Sequence, residues 1–310
     1  MGIMGNMESL GNIGKIGFIG LGIMGKPMAK NLLRKGTPVM VNDVNETVVE
    51  ELVRNNAEAA TLEQIGKTCR IIFTILPNGP IVDTVLFGEK GLSQYLEKGT
   101  LVCDLSSVNP SEAKRFGGRL HDMGIRFVDS PVSGGEPKAI DGTLSFMAGG
   151  SQDDFDRLLP FFHQMGTSAV LTGGIGSGCI TKLTNQIIVN LNIAALSEGL
   201  VLAAKAGADP AKVYEAIRGG AAGSVMLDAK APMIMDRNFK PGGKISINLK
   251  DIRNVIHTAH ELDIPVPFTS QLFEVMKSLK VAGQMDEDHA SIVRYFERLA
   301  GVEVQRLVQE

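Results

Sequence analysis

Lys182 is the only charged side chain in the first five turns of a long apolar stretch that begins at Ser177. An amine so placed either carries its ammonium out to solvent or is held for proton transfer. Ser133-Gly134-Gly135 offers a second kind of chemistry. Consecutive glycines let backbone N–H groups converge on an anion, and a serine adds a hydroxyl donor, so a small carboxylate could sit there; a plain tight turn is the alternative. Gly20-Leu21-Gly22-Ile23-Met24-Gly25 reads G-x-G-x-x-G, and Asp43 follows about twenty residues on. The first glycine permits a tight turn, the second lets a pyrophosphate approach the backbone, and the third lets helix pack on strand. The aspartate can accept the adenosine ribose hydroxyls. Asp43 would repel a 2′-phosphate. Val44 and Asn45 supply no cation and Arg54 lies further along, so NAD(H) is expected over NADP(H). His257 and His260 stand at i and i+3 without a supporting carboxylate or cysteine, and no metal is expected. Lys250-Asp251, on spacing alone, reads as a solvated surface pair.

The elements that would position these groups are legible from pattern. KIGFIG (15–20) is an apolar strand that runs into the glycines, and a helical pattern follows to Gly36. This strand–glycine–helix context makes the motif specific. Further strands are expected at 38–43, 70–76, 100–106, 125–130, 143–148 and 167–172, with a helix at 152–165. Together they predict a doubly wound α/β sheet over about 15–172. From Ser177 a helix of about 28 residues, roughly 42 Å, is expected. After it only helical patterns occur, at about 210–218, 224–236, 246–262, 267–282 and 287–300, separated by prolines. The expected domains are a flexible leader (1–14), a dinucleotide-binding Rossmann domain (15–174), an interdomain helix (175–207) and an all-helical C-terminal domain (208–310).

The totals narrow the class. The chain has 310 residues, 44% of them hydrophobic and 21% charged, and a net charge of −3. That balance argues against nucleic acid or an anionic membrane as partner. Asn185, Asn190, Asn192, Ser197 and Glu198 argue against a membrane span in the long helix. Three cysteines without a CxxC pair read as reduced, mostly buried thiols of a cytoplasmic protein. The first fourteen residues carry no basic residue, so no secretory signal is expected, and Asn6 stands where myristoylation needs Ser or Thr.

GFIGLGIMGKPMAKNLL (17–33), LPN (76–78), DSPVSGGEPKAIDGTLS (129–145), GCITKLTNQ (178–186) and AIRGGAAGSVMLDAKAPMIMDRNFKP (216–241) together resemble the β-hydroxyacid dehydrogenase family, over residues 15–305. GEPKAIDGTLS and the last run resemble its tartronate semialdehyde reductase branch. The resemblance implies reduction of 2-hydroxy-3-oxopropanoate (tartronate semialdehyde) to glycerate with NADH. It implies Lys182 as general acid/base and Ser133, Gly134 and Gly135 as substrate-binding residues. Its cofactor contacts fall on Gly20, Leu21, Gly22, Ile23, Met24, Gly25, Asp43, Leu76, Pro77, Ser107 and Lys250, with Asp251 beside it. Many members have Asn four residues after the lysine; here Gln186 stands there with Asn185 just before it, and either amide could meet the substrate. The resemblance also implies a homodimer or homotetramer assembled through the C-terminal helices. A 3-hydroxyisobutyrate dehydrogenase, or a glyoxylate or succinic semialdehyde reductase, would share this machinery and differ in pocket residues. A non-catalytic dinucleotide-sensing module would lack the lysine.

Overall fold

The computed structural model describes residues 14–306; the reading of 1–14 as a leader lies, but for Gly14, outside the described residues. The chain divides into two compact units, with the division between Lys182 and Leu183.

In the first unit, strands and helices alternate as β1 (Ile16–Ile19), α1 (Gly25–Arg34), β2 (Val39–Asn42), α2 (Glu46–Val53), β3 (Glu58–Ala59), α3 (Leu62–Thr68), β4 (Ile71–Thr74), α4 (Gly79–Phe87), β5 (Leu101–Asp104), α5 (Pro110–Asp122) and β6 (Arg126–Asp129). These six strands form one parallel sheet in the order β3-β2-β1-β4-β5-β6. Because both faces are covered by helices, neighbouring strand residues feed different cores. Ile71, Phe73, Leu101 and Cys103 enter one cluster with Met28, Leu32 and Phe162. Ile72 and Val102 enter the other, with Val82, Phe116 and Leu120. The strand order reverses between β1 and β4, which opens a crevice at the carboxyl ends of the strands.

The strands expected near 143–148 and 167–172 are present but do not extend this sheet. β7 (Val132–Ser133), α6 (Gly135–Asp141), β8 (Leu144–Ala148), α7 (Gln152–Met165) and β9 (Gly166–Leu171) follow. β8 pairs antiparallel with β7 and parallel with β9 in a separate three-stranded sheet. A single bridge, Asp129 to Gly149, ties this sheet to β6. The reason is local: Pro131 and the glycines after Ser133 turn the chain back on itself, so β8 pairs with the strand just made.

α8 (Ser177–Lys205) contains the division between units. Among the described residues it is the one helix long and apolar enough, by length and composition, to cross a membrane. Its polar residues Gln186, Asn190 and Ser197 are nevertheless buried. Ile193, Leu196, Leu200 and Val201 supply the cores of the second unit. The helices α9 (Pro210–Arg218), α10 (Val225–Met235), α11 (Ile245–Glu261), α12 (Pro267–Val281) and α13 (Val293–Ala300) complete that unit, within a residue or two of their expected limits except at the last. There the pattern at 287–300 resolves into a 3₁₀ turn (His289–Ile292) followed by α13. The boundaries follow from capping. Asp209 accepts from Ala211 N–H before Pro210, and Ser224 accepts from Leu227 N–H. A buried ion pair braces the unit: Lys230 Nζ lies 2.9 and 3.1 Å from the Asp288 oxygens, which also accept the backbone N–H groups of Gly242, Gly243 and Ala290.

Candidate active site

The glycine loop between β1 and α1 is built for close approach. Gly20 has φ +95°, and a Cβ there would lie 2.2 Å from the carbonyl oxygen of Ile75, on β4's side of the crevice. A Cβ on Gly25 would lie 2.0 Å from the Gly20 carbonyl oxygen. At Gly22, by contrast, a Cβ would meet nothing within 4 Å. Gly22 and Ile23 are exposed, Met24 is half-buried and caps nothing with its side chain, and Leu21 is buried. An uncapped helix start beside open space at the middle glycine suits a pyrophosphate. Asp43 lies at the end of β2 and holds the loop directly: its Oδ2 accepts the Leu21 N–H at 2.5 Å and its Oδ1 the Asn45 N–H at 2.8 Å. Each oxygen keeps a lone pair for a ribose hydroxyl. The residues present therefore fit a dinucleotide. Val44 and Asn45 are exposed and carry no charge, and Arg54 lies 4.0 Å from Glu50 on α2.

Leu76, Pro77 and Ser107 lie at the next two strand ends, and a buried carboxylate joins their loops. Leu76 N–H donates to Ser106 Oγ at 2.8 Å, and Ser106 Oγ donates to Asp104 Oδ1 at 2.5 Å. The same oxygen accepts Thr74 Oγ1 and the Ser106 N–H, while among the described residues Oδ2 has no hydrogen-bond partner. Burial pushes the Asp104 carboxyl up to about 6, against the lowering effect of these donors. Pro77 is exposed and Ser107 half-buried on the same rim.

Asp129 ends β6, in register with Asp104 on β5. It too is fully buried. Its Oδ1 accepts the Gly176 N–H at 2.6 Å and its Oδ2 the Cys179 N–H at 2.8 Å, so it closes the N-terminus of α8. Burial raises its carboxyl above the ordinary range, and those two N–H groups oppose the rise. Lys182 follows one turn later on α8 and is half-buried. Four residues beyond Asp129, Ser133 pairs with Ser145 of β8. The backbone then turns through Gly134 (φ +137°) and Gly135 (φ +67°), both exposed. The carboxyl end of β6 thus carries both the Ser133–Gly135 turn and the root of the helix that bears Lys182.

The other candidates belong to the second unit and converge there. Gln186 is buried, and its Nε2 donates to Asp251 Oδ2 at 2.6 Å and to Asn248 Oδ1 at 3.4 Å. Asn185 Nδ2 donates to Gln186 Oε1 at 3.0 Å. Lys250 Nζ lies 3.0 Å from Asp251 Oδ1. Lys250-Asp251 is thus no solvated surface pair: Asp251 is buried, because α11 turns it toward α8. The sequence reading missed Asp104 and Asp129 as site-building residues. The available signal was an aspartate closing each of two apolar runs, LVCD and RFVD, at the ligand-binding edge of a parallel sheet.

Two family descriptions together match residues 15–296. Residues 15–176 match the NAD-binding domain of 6-phosphogluconate dehydrogenase, and residues 176–296 match the NAD-binding domain of NADP-dependent 3-hydroxyisobutyrate dehydrogenase. A 2-hydroxy-3-oxopropionate reductase of Escherichia coli (strain K12) is 41% identical over 283 residues, which cover 91% of this chain and 97% of that protein. A 2-(hydroxymethyl)glutarate dehydrogenase of Eubacterium barkeri is 35% identical, over 93% of this chain and 96% of its own length. The crystal structure of a 3-hydroxyisobutyrate dehydrogenase from Salmonella typhimurium superposes with a TM-score of 0.80 at 28% identity, covering 90% of this chain and 99% of the other.

Proposed function

We propose, from the premise that this chain belongs to the β-hydroxyacid dehydrogenase family, that it reduces 2-hydroxy-3-oxopropanoate to glycerate with NADH. The observation that carries the choice of substrate is the 41% identity to a 2-hydroxy-3-oxopropionate reductase across 91% of the chain. The bound nicotinamide supplies the hydride that reaches the carbonyl carbon. Lys182, as ammonium, gives a proton to the oxygen that gains the electron pair, and in the oxidative direction the neutral amine takes it back. Ser133 Oγ and the N–H groups of Gly134 and Gly135 hold the substrate carboxylate and so orient the carbonyl. Gln186 is bonded to Asp251 and Asn248, and Asn185 to Gln186; we assign this joined amide pair, rather than one member of it, to the substrate. Gly20–Gly25, Asp43, Leu76, Pro77, Ser107 and Lys250 hold the cofactor. NADH is favoured because Asp43 faces the ribose edge without a cation among its neighbours Val44 and Asn45. A carboxylate beside a 2′-phosphate costs about 1–3 kcal/mol, roughly 5- to 150-fold. The protein is assigned to the cytoplasm, as a dimer or tetramer formed through the C-terminal helices.

A steady-state panel tests this reading: tartronate semialdehyde, methylmalonate semialdehyde, glyoxylate and succinic semialdehyde, each with NADH and NADPH. Tartronate semialdehyde with NADH should give the highest kcat/KM. A higher value with methylmalonate semialdehyde would make this a 3-hydroxyisobutyrate dehydrogenase. A wild-type preference for NADPH would overturn the cofactor assignment.

A further inference from the structure

Asp129 has no role in the chemistry just described, yet it is fully buried and its side chain is spent on one purpose. Both carboxylate oxygens accept backbone N–H groups from the first turn of α8 and the residue preceding it, Cys179 at 2.8 Å and Gly176 at 2.6 Å. Its own N–H and carbonyl pair with Gly149 at the end of β8, at 3.1 and 2.7 Å. The space around this junction is closed. A Cβ on Gly178 would lie 2.3 Å from the Met147 carbonyl oxygen and 2.5 Å from that of Asp129. A Cβ on Gly149 would lie 2.7 Å from Asp129 Oδ1 and from the Gly178 nitrogen. The first turn of α8 is therefore fixed in both height and rotation by backbone atoms of β6 and β8. Lys182 sits one helical turn after Cys179, so its direction is set by that turn, while Ser133 and the glycines follow Asp129 on the same strand end.

We infer that Asp129 is a positioning residue that fixes Lys182 against the Ser133–Gly135 turn by holding the first turn of α8 to the ends of β6 and β8. The inference rests on the proposed role of Lys182. A proton donor displaced by about 1 Å can cost on the order of 10²-fold in rate while remote binding contacts persist.

Asp129→Asn tests it. The amide keeps the shape but offers one acceptor oxygen, and it turns a second donor toward a backbone N–H. Phe155→Leu, on the buried face of α7, serves as a control that lowers stability without touching the junction. Each is assayed at a temperature where circular dichroism shows it folded. Asp129→Asn should lower kcat by about 10- to 100-fold and leave the NADH dissociation constant near that of wild type. The pH dependence of its kcat should move. The control should change none of the three. Unchanged kcat and pH profile in folded Asp129→Asn would overturn the inference, as would kcat and NADH affinity declining together. If Asp129→Asn does not fold, Gly178→Ala carries the test, because its Cβ must lift the same turn, and wild-type kcat there overturns the inference equally. Should wild type turn over no member of the aldehyde panel, the proposed function fails separately. The rate at which an amine reagent modifies Lys182, read by mass spectrometry, then reports the positioning: it should change in Asp129→Asn and stay constant in Phe155→Leu.

Discussion

Replacing Lys182 by alanine should slow kcat by about 10²–10⁴-fold, the range typical of a lost general acid. Arginine separates proton transfer from charge, because its guanidinium keeps the charge but does not surrender a proton in a protein. Lys182→Arg should stay nearly as slow as the alanine variant, with NADH affinity by fluorescence titration near wild type. Ethylamine should restore part of kcat in Lys182→Ala; brisk turnover by the arginine variant without amine rescue would reduce Lys182 to an electrostatic anchor. Asp104 makes a second residue-scale prediction. Burial raises its carboxyl from the ordinary 3.8 to about 6, so between those values the native state binds more protons than the unfolded chain. Stability from this group therefore falls as pH rises from about 4 to 6, and the cost, up to about 3 kcal/mol, is complete above that window. Asp104→Asn keeps an acceptor for Thr74 and Ser106 and removes the buried charge. Its Tm should exceed that of wild type at pH 7, with the difference vanishing by about pH 4. A difference equal at both pH values would count against the buried charge. Lys182 and Ser133–Gly135 stood out in the sequence as candidates by residue type, and the roles proposed for them came from the family resemblance. Asp104, Asp129 and the Gln186–Asp251 bond were not, since each depends on partners 30 to 65 residues away or on burial.

At the scale of elements, the three glycines of the β1–α1 turn should behave differently from one another. Gly20→Ala and Gly25→Ala push a Cβ into backbone at 2.2 and 2.0 Å, and Gly20 also has a positive φ. Both should lower the Tm of the cofactor-free protein. Gly22→Ala adds its methyl to open space, so it should leave that Tm unchanged and weaken NADH alone, because the methyl occupies the approach of the pyrophosphate. Thermal melts with and without NADH check all three; a large loss of cofactor-free stability in Gly22→Ala would contradict the assignment. Five of the six strands of the first sheet were readable because strands buried on both faces appear as continuous apolar runs, and Pro210 and Pro267 mark the starts of α9 and α12. β3 and β7 were missed because each is two residues long, too short for any periodicity. The second sheet was misassigned to the first because pattern gives strands but not their neighbours.

For the molecule as a whole, each unit rests on its own pair of apolar clusters, and the second is also braced by the buried ion pair of Lys230 and Asp288. Lys230 is 9% and Asp288 0% exposed at the side chain, and Asp288 gathers three backbone N–H groups besides the ammonium. Asp288→Ala strands that ammonium in the interior and should destabilise the protein by about 3–5 kcal/mol in urea titrations. Hydrogen exchange should accelerate first in the 239–244 and 286–291 segments that the carboxylate joins. A loss below about 1 kcal/mol would mean that water or another group takes over the ammonium.

The three cysteines, Cys69, Cys103 and Cys179, are all buried in the first unit. Burial pushes the Cys69 thiol up to about 12 and the other two well above their ordinary value. Alkylating reagents attack thiolates, so the folded protein presents them with three silent sulfurs. A cysteine engineered onto the surface could then carry a single fluorophore with the native three left in place. Cys179 has a further use, since its backbone N–H is one of the two that Asp129 grips. The rate at which its sulfur becomes alkylated is a clock for how often the root of α8 lets go, readable by mass spectrometry in the unmodified enzyme.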